Sequence, residues 1–105
     1  MLARLTFINI KPDKVEDAKK IYNEEILPVI RQQKGNIGAW LLEPTISTDD
    51  FISLTEWMSE ADARAYETGG TYKEMIDKIK DMYTIKPMVK TYNIAESKVI
   101  TTPIN

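Results

Sequence analysis

The sequence predicts an α+β fold: a four-stranded antiparallel sheet with helices on one face, in the order β-α-β-β-α-β. Two observations carry this. Four strand-like runs, Leu2–Ile10, Asn36–Glu43, Phe51–Met58 and Met88–Ala95, are separated by two blocks of helical periodicity and one polar hairpin loop. The run Phe51-Ile-Ser-Leu-Thr-Glu-Trp-Met58 also passes directly into Ser59-Glu-Ala-Asp-Ala-Arg-Ala-Tyr66, so a strand becomes a helix with no loop between.

The elements follow in order. Leu2–Ile10 is rich in Leu, Phe, Ile and Thr, and Lys11-Pro12 ends it. Asp13 with Glu16 has the spacing of a capping box. Val15, Ala18, Tyr22, Ile26 and Val29 then recur at three and four residues, one apolar face of a long helix. Pro28 lies inside that pattern and removes a backbone donor, so a kink or break is expected there. Gly35 stops the helix. The second strand, Asn36–Glu43, leads through the polar Pro44–Asp50 loop into the third. Ser59 with Asp62 forms a second capping box, and that helix stops near Gly69-Gly70. Thr71 with Glu74 reads as a third box, opening a face of Tyr72, Met75, Ile76, Ile79, Met82 and Tyr83. Lys86-Pro87 opens the last strand. Right-handed crossovers turn this order into the ferredoxin-like arrangement. Residues 1–95 form the domain; residues 96–105 form a tail with no clear element.

Composition narrows the chemistry. A chain of 105 residues fits one domain. With 16 acidic and 14 basic side chains the net charge is −2, which argues against general nucleic-acid binding, as does a third strand without Lys or Arg. No cysteine excludes disulfides and thiolate chemistry, and no histidine removes the commonest general base and haem ligand. No metal site is expected: Glu24-Glu25 and Asp49-Asp50 are adjacent pairs that diverge, without the spacing of a calcium loop. The charged residues of the last helix pair as Glu74–Lys78 on a solvated face. Gly69-Gly70 follows a helix rather than a strand, so it is no phosphate loop. The first residues are not a signal peptide and no run is long enough to span a membrane, so a cytoplasmic protein is expected.

The second strand is apolar on both sides: Ile37, Ala39 and Leu41 against Gly38, Trp40 and Leu42. The third repeats this in part, with Ile52, Leu54 and Met58 against Phe51 and Trp57. Helices cover one face of such a sheet, and the other would be a large apolar patch. A homodimer joined sheet to sheet is therefore expected.

The chain resembles an antibiotic biosynthesis monooxygenase domain, of the dimeric α+β barrel superfamily. The matching residues are Ile26-Leu-Pro-Val-Ile30, Lys34-Gly-Asn36, Phe51 through Glu56-Trp-Met-Ser-Glu-Ala61, Tyr66, Thr71-Tyr-Lys73, Pro87 and Tyr92. The resemblance covers about residues 1 to 95 and implies the barrel fold, a dimer and, in some members, oxidation of phenols or hydroquinones to quinones without a cofactor. In the haem-degrading branch it implies an asparagine on the first strand, a tryptophan after the third strand and a histidine on the next helix. Here Asn9 fits the first place, Tyr66 takes roughly the second, and the third falls near Met75 or Ile76.

That resemblance and residue chemistry give the candidate site. A phenol becomes reactive toward dioxygen once deprotonated, so the protein must hold the anion, exclude water and set polar groups where charge develops. Asn9 offers an amide, Trp57 an indole donor and aromatic wall, and Tyr66 and Tyr72 hydroxyls to orient substrate or relay a proton. Trp40, Arg64 and Met75 complete the expected substrate contacts, with a small hydrophobic or aromatic molecule as partner and no cofactor. Trp57, Trp40 and Tyr72 also read as packing residues, Arg64 as a solvated charge, and Asn9 as a strand-end amide. A binding module holding an apolar ligand in the same pocket is the alternative reading.

Overall fold

The computed structural model describes residues 1–95; the tail expected over residues 96–105 lies outside them. Strands β1 (Leu2–Ile8), β2 (Asn36–Leu42), β3 (Phe51–Trp57) and β4 (Met88–Asn93) form one antiparallel sheet in the spatial order β2-β3-β1-β4. The β-α-β-β-α-β order is that expected.

The first helical block runs through a 3₁₀ turn (Pro12–Lys14), α1 (Val15–Ile21), a π-helical turn (Tyr22–Ile26) and α2 (Leu27–Arg31). The break expected at Pro28 takes this π form. Leu27 donates its N–H to the Tyr22 carbonyl, five residues back, immediately before the proline that has no N–H to give. The helix widens instead of ending, and Tyr22, Ile26, Leu27 and Ile30 stay on the buried side. At its end Arg31 donates to the Ala39 carbonyl, tying α2 to edge strand β2.

Of the three capping boxes, only the middle one forms. Ser59 Oγ accepts the Asp62 N–H at 3.2 Å and donates to the Asp62 carboxylate at 3.0 Å, opening α3 (Glu60–Thr68). Asp13 and Thr71 cap nothing. Pro12 pulls the chain into a 3₁₀ turn first, and α4 (Gly70–Ile79) begins at Gly70, so Thr71 already lies inside its first turn. Gly35 has φ +78° and its carbonyl accepts the Met58 N–H at 2.8 Å, pinning the entry to β2 against the β3–α3 junction.

Strand alternation sorts the side chains. Leu2, Ile8, Ala39, Phe51 and Trp57 face the helices and join Ala18, Ile26, Ile30, Ala63 and Ile79 in the core. From the opposite face project Leu5 and Phe7 of β1, Ile52 and Leu54 of β3, Trp40 and Leu42 of β2, and Met88 and Tyr92 of β4. No described helix covers them; Trp40 is 41 % exposed and Met88 61 %. Two residues depart from the expected strand faces. A bulge between Asn36 and Gly38 turns Ile37 out to solvent, and Met58 leaves β3 and is exposed.

Candidate functional site

The inner face of the sheet is not uniformly apolar. Arg4 pairs with Thr55 across the β1–β3 ladder, and Thr6 with Ser53, so four polar side chains occupy one two-by-two patch. A sheet face packed against helices is ordinarily apolar. Here the helices stand off the patch and leave a cavity of about 340 Å³ over it. Trp57, Tyr66, Tyr72, Tyr22, Tyr83 and Met75 are among its lining residues.

The aromatic side is tightly organised. Trp57, 1 % exposed, stacks on Tyr66 with ring centroids 5.4 Å apart and planes 26° from parallel. Tyr72 meets Tyr66 edge to face at 5.5 Å and 86°. This geometry follows from the loop-free β3–α3 junction: Ser59 starts the helix two residues after Trp57, and Tyr66 follows on the helix side that faces the sheet. The Trp57 indole N–H donates to Thr55 Oγ1 at 3.0 Å, fixing both the ring and the hydroxyl. The Tyr22 and Tyr83 hydroxyls, also in the lining, share a hydrogen bond of 3.1 Å.

Electrostatics assign roles. Burial pushes the Tyr22, Tyr66 and Tyr83 phenols above the ordinary tyrosine range, so all three are neutral at physiological pH and serve as hydrogen-bond partners rather than as bases. Arg4 forms an ion pair with Glu67 of α3. Burial draws its pKa down, but a guanidinium stays charged at neutral pH. Arg4 thus places a cation on the strand floor of a largely aromatic and aliphatic cavity that also carries hydroxyls.

The expected site residues divide. Trp57, Tyr66, Tyr72 and Met75 line the cavity together. Asn9, Trp40 and Arg64 do not reach it. Asn9 follows the end of β1, donates to Asp50 at 3.2 Å and accepts from the Thr84 hydroxyl, locking loops together. Trp40 belongs to the outer sheet face. Arg64 points to solvent and pairs with Glu60 one turn back on α3. The polar residue of β1 that does face the cavity beside Ser53 is Thr6. Arg4, Thr6, Ser53, Thr55, Tyr22 and Tyr83 are the residues that sequence reading did not single out. Their signal was alternation: Leu2, Arg4, Thr6 and Ile8 form one face of β1, with two polar residues where a core face should be apolar.

The model of the antibiotic biosynthesis monooxygenase family matches residues 1–78, from β1 through most of α4. The chain belongs to the antibiotic biosynthesis monooxygenase family. Members of this family are monooxygenase-like or haem-degrading, and are commonly dimeric. Solved structures share the fold at low identity. A Nitrosomonas europaea protein assigned to the same family is 18 % identical and superposes with a TM-score of 0.80, over 91 % of this chain and 100 % of that one. A Deinococcus radiodurans counterpart is 15 % identical, with a TM-score of 0.80 over 95 % and 98 %. The haem degrader MhuD of Mycobacterium tuberculosis, solved with two haems in its active site, is 12 % identical, with a TM-score of 0.78 over 93 % and 99 %. No curated protein matches the sequence.

The family's haem-degrading members raise the question whether this monooxygenase-family cavity fits haem. Protein ligands to haem iron are chiefly His, Cys, Met paired with His, or a tyrosinate. The chain has no His and no Cys. Burial favours the phenol over the tyrosinate at Tyr22, Tyr66 and Tyr83, and the Tyr22 and Tyr83 hydroxyls are engaged with each other. The chain lacks the commonest axial ligands.

Proposed function

We propose that the chain is a cofactor-independent monooxygenase that oxidises a small phenol or hydroquinone with dioxygen. The carrying observation is the pairing of a cationic, hydroxyl-bearing floor (Arg4, Thr6, Ser53, Thr55) with an aromatic wall (Trp57, Tyr66, Tyr72) in one cavity. An aromatic ring stacks against the wall. Its hydroxyl oxygen meets Arg4 and the threonine hydroxyls, which favour the phenolate over the phenol.

The electron balance needs no external reductant. One hydroquinone and one dioxygen give one hydroxyquinone and one water. The substrate supplies all four electrons; one oxygen atom enters the ring and the other leaves as water with the two hydrogens that the hydroquinone loses. The phenolate transfers the first electron to dioxygen, the two radicals combine at a ring carbon, and loss of water from the resulting hydroperoxide gives the quinone. Tyr66 and Tyr72 border the ring, and their hydroxyls donate hydrogen bonds to the peroxide as charge builds on it. Tight packing around Trp57 limits bulk water at the ring.

The outer sheet face supports a second part of the proposal, a homodimer joined through Trp40, Leu42, Leu54, Phe7 and Met88. That apolar surface extends across all four strands, and an exposed patch of this kind marks an interaction site.

The test is oxygen consumption by metal-stripped protein across a panel of hydroquinones. Uptake above the buffer rate that falls at least tenfold in Tyr66→Phe or Arg4→Met, with circular dichroism unchanged, supports the reading. Ligand binding with uptake no faster than buffer would identify a non-catalytic binding module instead.

A further inference from the structure

The charged residues that line the cavity are all cationic. Arg4, Lys80 and Lys86 contribute to its surface, and no Asp or Glu does, in a chain whose net charge is −2. The three cations come from different elements. Arg4 stands opposite Thr91 within β4, whereas Lys86 precedes β4, five residues back from Thr91 along the chain. Lys80 is at the end of α4 and, like Lys86, is exposed, so these two mark the mouth while Arg4 marks the floor. Arg4 is held by Glu67 and Lys80 by Asp77 at 3.1 Å; among the described residues Lys86 has no carboxylate partner.

A neutral hydroquinone would use only the floor cation. We infer that the substrate carries a second anionic group, a carboxylate on the end of the molecule remote from the oxidised hydroxyl, and that Lys86, with Lys80 as a second cation of the lining, receives it at the mouth. The substrate class is thus a hydroxylated one- or two-ring aromatic carboxylic acid. The ring lies along the Trp57–Tyr66 wall, its hydroxyl on Arg4 and its carboxylate on the lysines. The inference rests on the cavity being the substrate site, but not on turnover, since charge selection is a property of binding.

Calorimetric titration of the full chain separates the two. The probes are 6-hydroxy-2-naphthoate and its neutral carboxamide, with 4-hydroxybenzoate and 4-hydroxybenzamide as the one-ring pair. At low ionic strength the carboxylate of at least one pair is expected to bind about tenfold tighter than its amide. That preference should shrink as salt is raised, because the lysines are solvent-exposed. Lys86→Ala, a surface change that leaves the core untouched, is expected to lower the preference about threefold while leaving amide affinity in place. Amides that bind as tightly as the carboxylates, or no binding of any probe to millimolar concentration, would overturn the inference. Carboxylate-selective binding without oxygen uptake would leave it standing and remove the oxidation reading; oxidation of neutral hydroquinones without charge selection would do the reverse.

Discussion

Gly35→Ala tests how the β3–α3 junction holds the aromatic wall. Gly35 has φ +78°, and a Cβ there would lie 2.1 Å from the Asp62 carboxylate oxygen and 2.6 Å from the Asp62 Cβ. The left-handed backbone alone costs an L-residue roughly 1–2 kcal/mol. The clash reaches the Asp62 Cβ, which is fixed to α3, so a rotamer change cannot relieve it. Asp62 must move with its helix, and the Ser59–Asp62 cap, a contact worth about 1 kcal/mol, is lost. The sum is about 2–3 kcal/mol, which for a domain of this size lowers Tm by roughly 10–20 °C. Urea denaturation at fixed protein concentration measures it. Gly70→Ala is the control: a Cβ there meets nothing within 4 Å, and the change should be within about 0.5 kcal/mol of neutral. Because α3 carries Tyr66, the Gly35 variant should also disturb ligand binding at temperatures where it remains folded. A stability loss below about 0.5 kcal/mol would show that the junction is not the rigid element described.

Further expectations concern the site and the outer face. Tyr22→Phe removes one member of the buried hydroxyl pair and should cost about 1 kcal/mol in chemical denaturation, with the fold retained. The buried tyrosines also fix the alkaline limit. Their folded pKa values lie above the unfolded value of about 10, so the neutral form is favoured by folding. Their contribution is complete below about pH 10 and is lost as pH rises toward the folded pKa values, so their effect on denaturation midpoints should appear as a fall on the alkaline side. Leu54→Asp on the outer face should convert a dimer to monomer in sedimentation at micromolar concentration; wild-type protein that sediments only as a monomer would contradict the proposed interface.

Much of the fold was legible because each element advertised itself locally. The Ser59–Asp62 box directly behind a β-branched and aromatic strand could be read in one register, and in the fold that junction brings Trp57 beside Tyr66. Capping boxes read by spacing alone failed at Asp13 and Thr71, because a neighbouring Pro12 and Gly70 set the helix starts instead. For Pro28 the disturbance was legible, but not its π form, which depends on how much the helix gains by keeping Tyr22 and Ile30 on one buried side.

The site was half legible. Aromatic residues on helical faces announced one wall, whereas Asn9 drew attention as an isolated amide near a strand end and proved to tie loops together. Arg4 and Thr6 were visible as polar residues in an apolar strand. Their meaning required the register that places Thr55 and Ser53 beside them. Outer-face apolarity was read from β2 and β3 alone; β1 and β4 extend it through Phe7 and Met88 once the strand order is known.

The most direct measurement is the fate of oxygen. Metal-stripped protein given a hydroquinone under oxygen-18 gas, with the product trapped at once by reduction to prevent carbonyl exchange, should yield product carrying one labelled oxygen atom, and the remainder should appear as labelled water. Product without label, or oxidation that begins only after haem or a metal is added, would contradict a cavity that performs oxygenation with its own side chains.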